Sequence, residues 1–179
     1  MSPWCEKYRP LCFADVKGQN ESLERIKKFV SDFHLGKITA KSKRAIILHG
    51  PPGTGKTSLA HIISNETNSE IFELNASDLR NKDKLQEILQ PVLEQKSLTK
   101  KNKIILIDEV DGISATEERG GLSELLSLIE ATPYPIIITA NDIWDRRLSP
   151  LRKKSELVKL KEIDYKTIKE IMGCILKKE

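Results

Sequence analysis

Apolar residues in this chain follow two alternating rhythms. Short runs rich in Ile, Leu and Val stand at Ala45–Leu48, Ile71–Leu74, Ile104–Ile107 and Pro135–Thr139, with a further candidate at Leu157–Leu160. Runs of this length and composition predict buried strands. Between them, apolar residues return every three or four positions. Leu23, Ile26, Val30 and Phe33 form one stripe, opened by Asn20 as an N-cap and closed by Gly36. Leu59, Ile62 and Ile63 form a second, and Leu122, Leu125, Leu126 and Ile129 a third across Gly121–Ala131. A fourth, with Leu85, Ile88, Leu89, Val92 and Leu93, covers Asp83–Gln95 but contains Pro91, which costs about 3 kcal/mol inside a helix. Asp164 caps a last helix carrying Ile168, Ile171 and Ile175. Residues 1–19, with Pro3, Pro10 and Gly18, read as an irregular arm. Apolar strands alternating with amphipathic helices predict an α/β fold, a parallel sheet flanked by helices on both faces.

The chain's 179 residues suffice for one domain with a real core, and 39% hydrophobic with 31% charged residues is ordinary for a globular protein. A net charge of +4 is weak by itself as a sign of nucleic-acid binding. The basic residues are clustered, however, at Lys37–Arg44, Lys96–Lys103 and Arg152–Lys154, and each cluster reads either as a solvated loop or as a DNA-facing surface. Cys5, Cys12 and Cys174 show no metal spacing and are odd in number, which predicts a reduced, intracellular protein, cytoplasmic in placement. No apolar run approaches membrane-spanning length, so no membrane partner is expected.

The candidate chemistry begins where the first strand ends. Gly50-Pro51-Pro52-Gly53-Thr54-Gly55-Lys56-Thr57-Ser58 carries the P-loop pattern between a strand and a helix. The glycines let successive N–H groups turn inward toward phosphate oxygens. Lys56 supplies a point charge for the outer phosphates, the Thr57 hydroxyl a Mg²⁺ ligand, and the following helix its positive N-terminal end. The strand at Ile104–Ile107 ends in Asp108-Glu109-Val110-Asp111. A carboxylate there lies where ligands sit in open α/β sheets. Asp108 is placed to hold Mg²⁺, and Glu109 to orient and deprotonate an attacking water. The strand Ile136–Ala140 ends in Asn141. If this strand lies between the other two, the Asn141 amide reaches the γ-phosphate or the lytic water; otherwise it is an asparagine bonded within its own turn.

P-loop, Asp-Glu strand end and Asn-tipped strand, in this order and spacing, resemble an AAA+ ATPase. Pro3-Trp-Cys-Glu-Lys-Tyr-Arg-Pro10, Asp15-Val-Lys-Gly-Gln19 and Glu73-Leu-Asn-Ala-Ser-Asp78 are similar to replication factor C clamp-loader subunits. Asp108-Glu-Val-Asp-Gly-Ile113, Gly120-Gly121 and Ala140-Asn-Asp142 resemble the archaeal large subunit among these. The resemblance runs from residue 3 to about residue 175. It implies a P-loop NTPase core with a five-stranded parallel sheet over residues 20–163, preceded by an arm over 1–19. In that arm Tyr8 and Arg9 border the adenine pocket, and Val16 packs on the base. The cofactors implied are ATP and Mg²⁺. Glu109 is then the catalytic base, Asn141 the sensor, and Arg80 a sequence-independent contact to the DNA backbone. The partners implied are clamp-loader small subunits, a sliding clamp and primer–template DNA, with a clamp-contacting segment within 80–103. The small subunits' Ser-Arg-Cys motif, whose arginine reaches a neighbour's ATP site, aligns with Lys153, Lys154 and Ser155, so the finger arginine is absent. Lysine lacks the planar fork and replaces it poorly.

Set against the family, residues 164–179 are only the start of the helical lid, which is largely missing, as is the collar. The expectation is a fragment, or one product of a split gene whose lid and collar are a separate chain, with weak ATPase activity alone. The alternative function is a nucleotide-binding scaffold whose own hydrolysis is not required. A small P-loop kinase is a third reading, and it lacks an arginine-rich acceptor lid.

Overall fold

The computed structural model describes residues 3–39, 42–75, 102–112 and 119–179. The Asp83–Gln95 helix, Arg80, Lys100 and Lys101 lie outside them. Within them, five strands form one all-parallel sheet: β1 (Ala45–His49), β2 (Ser69–Asn75), β3 (Asn102–Asp108), β4 (Ile136–Ala140) and β5 (Ser155–Lys159). The spatial order is β2-β3-β4-β1-β5. The conditional placement of the Asn141 strand is thereby met: β4 runs between β1 and β3, with Ile138 opposite both Ile47 and Ile107.

The helices are α1 (Trp4–Lys7), α2 (Asn20–His34), α3 (Lys56–Glu66), α4 (Arg119–Ala131), α5 (Ser149–Lys154) and α6 (Tyr165–Leu176). Two apolar layers explain the unbroken runs of the central strands. Ile46, Leu48, Ile104, Leu106 and Ile137 face Leu23, Ile26 and Val30 of α2 and Leu59, Ile62 and Ile63 of α3. Ile47, Ile105, Ile107, Ile136 and Ile138 face Leu125, Leu128 and Ile129 of α4 and Leu151 of α5. With helices on both faces, alternate residues have no solvent to meet, so polar alternation is absent. Each such buried Ile or Leu contributes about 1.5–3 kcal/mol relative to exposure.

Four local expectations shift. Gln19, not Asn20, stands at the N-cap of α2, and its side chain makes no cap bond. Its amide instead clasps the backbone of Lys161, donating from Nε2 to the carbonyl oxygen at 2.6 Å and accepting from the N–H at 3.3 Å. Strand β5 begins at Ser155, two residues before its apolar run, because Ser155 and Glu156 pair with Ala45 and Ile46. Helix α5, with Pro150 in its first turn, is too short for periodicity to reveal. The arm is likewise not wholly irregular, since α1 and a 3-10 turn at Phe13–Asp15 interrupt it. Gly36 closes α2 as expected, with φ of +66°. The Asp164 carboxylate caps α6 by accepting from Thr167 N–H at 2.7 Å. No described helix is long and apolar enough to cross a membrane.

Candidate active site

The carboxyl ends of β3, β4 and β1 meet the amino end of α3 in a cleft of about 290 Å³. The order β3-β4-β1 makes this the sheet's switch point, where open α/β sheets receive ligands. The P-loop reaches it through a tight start. Gly50 adopts φ of +150°, donates its N–H to the Ala140 carbonyl at 3.3 Å, and packs so that a Cβ would lie 2.6 Å from the Leu160 carbonyl oxygen. Gly53 and Gly55 turn the loop with φ of +76° and +85°, a region that suits glycine. The loop then enters α3 directly at Lys56. Thr54 is buried and donates its hydroxyl to the Pro51 carbonyl at 2.9 Å, bracing the loop from within.

Lys56 brings positive charge to the centre of the cleft. Its Nζ donates to the Gly50 carbonyl at 2.8 Å, the Pro51 carbonyl at 2.9 Å and Asn141 Oδ1 at 2.8 Å. Burial lowers its pKa below that of an ordinary lysine, while Asp111, Asp108 and Glu109 push it back up. The acidic side is equally tied. Thr57 Oγ1 lies 3.1 Å from both Asp108 carboxylate oxygens. The Thr139 hydroxyl donates to Asp108 Oδ1 and accepts the Glu109 N–H at 3.0 Å. Asp111 accepts the Asn141 N–H through Oδ1 at 3.1 Å. Glu109 is exposed and leaves the strand with φ of +55°, a conformation uncommon for a glutamate.

Of the expected nucleotide-site residues, Gly53, Gly55, Lys56, Thr57, Asp108, Glu109 and Asn141 all line this cleft, joined by Arg9, Pro52 and Ser58. Gly50 and Pro51 contribute carbonyls to the lysine. Tyr8 stands elsewhere: its hydroxyl donates to Glu179 Oε1 at 2.9 Å, beside the Lys7–Glu179 ion pair. Val16 packs half-buried against the layer holding α2 and α3. Two polar cleft residues carry no role in the sequence motifs above, Asp111 and Thr139. The signal for Thr139 is a lone hydroxyl within an otherwise apolar buried run.

A hydroxyl and a carboxylate are hard oxygen donors of the kind Mg²⁺ takes, so Thr57 and Asp108 fit that ion. Among the described residues no three carboxylate, imidazole or thiol groups converge to cage a metal. A larger groove of about 480 Å³ runs along α2, but its charges are partly spent in the surface pairs Arg25–Glu156 and Lys37–Asp32. At the positions aligned above with the small-subunit Ser-Arg-Cys motif, Lys153 is exposed and Lys154 pairs with Glu130. Nearby Arg152 is bound within its own domain, to the Ile143 carbonyl at 2.5 Å and the Asp145 carbonyl at 2.7 Å.

Comparison with known proteins places the chain in a family. Residues 46–164 match the family described as "ATPase family associated with various cellular activities (AAA)". A replication factor C large subunit of Thermofilum pendens is 45% identical over 178 residues, covering 99% of this chain and 42% of that protein. One from Staphylothermus marinus is 41% identical over 166 residues, covering 93% and 38%. One from Methanococcus vannielii is 38% identical over 179 residues, covering 100% and 36%. The chain thus spans about two fifths of the length of these curated relatives.

Proposed function

This chain belongs to the AAA family of ATPases, and on that premise we propose that it is the ATP-hydrolysing core of a clamp-loader large subunit, acting in DNA replication with small subunits, a sliding clamp and primer–template DNA. The observation that carries this reading is the convergence of Lys56 and Thr57 from α3, Asp108 and Glu109 from the end of β3, and Asn141 from the end of β4 on one cleft.

The P-loop N–H groups and the start of α3 bind the phosphates of ATP. Lys56 exchanges its carbonyl contacts for the outer phosphate oxygens, which changes its partners but not its place. Thr57 and Asp108 hold Mg²⁺, which when bound offsets phosphate charge. Glu109 takes a proton from a water aligned with the γ-phosphorus, and the Asn141 amide orients that water or the phosphate. Most of the rate comes from positioning and fixed charge. Arg9 borders the nucleotide from the arm; Tyr8 and Val16 are assigned to the adenine side by resemblance. Arg80 and the clamp-contacting segment within 80–103 keep the roles that the resemblance implies. The commitments of Arg152 and Lys154 support a subunit that receives an arginine finger and donates none. Such a finger is worth about 10³–10⁵ in rate, so turnover by this chain alone is weak.

The test is ATP hydrolysis by the chain alone, then with small subunits, clamp and primed DNA, and with lid and collar in trans. Stimulation by the full set that Glu109→Gln abolishes is the expected result. ATP binding without Glu109-dependent turnover in any mixture favours the scaffold alternative.

A further inference from the structure

We propose that Thr139 is a positioning residue that sets both acidic groups of the cleft at once, so that the Mg²⁺-dependent part of nucleotide binding runs through its hydroxyl. The inference rests on the nucleotide reading above.

Thr139 is 1% exposed and sits on β4 with apolar Ile136, Ile137, Ile138 and Ala140 as its strand neighbours. A hydroxyl buried in such a run is costly unless its hydrogen bonds are made. Thr139 makes both available kinds. Its single proton goes to Asp108 Oδ1, and its oxygen accepts the Glu109 N–H at 3.0 Å. These two bonds do different things.

The first fixes the rotation of the Asp108 carboxylate. Thr57 Oγ1 is equidistant from both oxygens at 3.1 Å, so it does not choose between them. Thr139 does, by engaging Oδ1 alone. The second bond anchors the turn after β3. Pairing of β3 with β4 ends at Ile107↔Ile138, so the Glu109 N–H lies beyond the ladder. The φ of +55° there is a conformation that persists only when surroundings hold it. The Thr139 oxygen holds its N–H side, while the Gly112 N–H, donated to the Glu109 carbonyl at 2.8 Å, holds the other. One side chain therefore ties the metal carboxylate to the backbone of the proposed base, and removing its hydroxyl loosens both.

Thr139→Val keeps the shape and removes both hydrogen bonds; Thr139→Ser keeps both. The chain and the two variants are titrated with a fluorescent ATP analogue in EDTA and then in Mg²⁺. In EDTA the three are expected to bind alike. With Mg²⁺, T139V is expected to lose about 10–100-fold of the affinity gain, the usual effect of removing a partner that orients a metal ligand, and T139S to retain it. An Mg²⁺ gain in T139V equal to that of the unmutated chain overturns the proposal, as does a T139S loss as large as that of T139V. Amide hydrogen exchange of Glu109 in the unmutated chain decides the matter if T139V does not fold. A protected amide supports the anchor, and exchange as fast as in an open loop overturns it. If the unmutated chain binds no nucleotide at all, the nucleotide reading fails, while the Glu109 exchange still reports on the anchor.

Discussion

The carboxyl ends of the central strands and the last helix, α6, are both signalled clearly by sequence, yet they are stabilised in opposite ways. At the strand ends several polar side chains are committed to partners on other elements: Thr57 to Asp108, Thr139 to Asp108 and the Glu109 backbone, Asp111 to the Asn141 backbone. These groups are 30 or more residues apart in the chain and meet only because the sheet orders β3, β4 and β1 side by side. Helix α6 has no buried residue. Its apolar stripe stays open, with Ile168 47%, Met172 43% and Leu176 62% exposed. What starts it is local, the Asp164 cap. Long-range contacts thus fix the site, and near-neighbour rules fix α6.

The largest effect that sharpens this contrast is chemical. Glu109→Gln is expected to lower partner-stimulated ATP hydrolysis by about 10²–10⁴-fold, the usual worth of a positioned base, while nucleotide binding persists in a fluorescence titration. Equal losses of binding and turnover would break the assignment. Next is a matched pair of truncations measured by urea denaturation. Ile138→Ala, at a fully buried site, is expected to cost about 2–5 kcal/mol. Ile168→Ala on α6 is expected to stay within about 0.5 kcal/mol. Similar costs at the two sites would mean that the α6 stripe is covered. Gly50→Ala is expected to cost about 1–3 kcal/mol, since its Cβ meets the Leu160 backbone oxygen and backbone cannot step aside. It should also weaken nucleotide binding, because the P-loop starts there.

The smallest effect belongs to α6. Asp164→Ala is expected to fray its first turn, seen as faster amide exchange at Thr167, with the sheet's protection unchanged. The Thr167 side chain and N–H bonded to the Asp164 carboxylate hold its pKa below the ordinary value. That stabilisation is present above the unfolded pKa of about 3.9 and is lost as pH falls through the lower folded value. Exchange at Thr167 should therefore quicken in strong acid in the unmutated chain and show no such transition in the variant.

Much of the architecture is legible along the chain. All five strands and the four helices α2, α3, α4 and α6 stand where apolar periodicity puts them, because burial on both faces leaves unbroken runs and burial on one face leaves a stripe. The departures are short or tertiary. Helix α5 spans too few turns to show a period. Gln19 abandons capping because the Lys161 backbone offers it two bonds. Lys56, Thr57, Asp108 and Glu109, which the structure brings to one cleft, are legible because they stand at fixed offsets from strand ends, where the proposed phosphate and Mg²⁺ chemistry would need those residue types. Thr139 and Asp111 are not, since no spacing rule links a hydroxyl on one strand to an acid and an amide on the next.

Sequence alone determined the P-loop, the acidic strand end and the alternation that makes an α/β sheet, because each depends on neighbours a few residues away. Only the tertiary structure decided that β4 inserts between β1 and β3. That placement brings Asn141 to 2.8 Å from Lys56 and gives Asp108 and Glu109 a shared hydroxyl. The physical reason is that a hydrogen bond needs its two atoms within about 3 Å, a condition set by strand order and register across the sheet and written in no single stretch of chain.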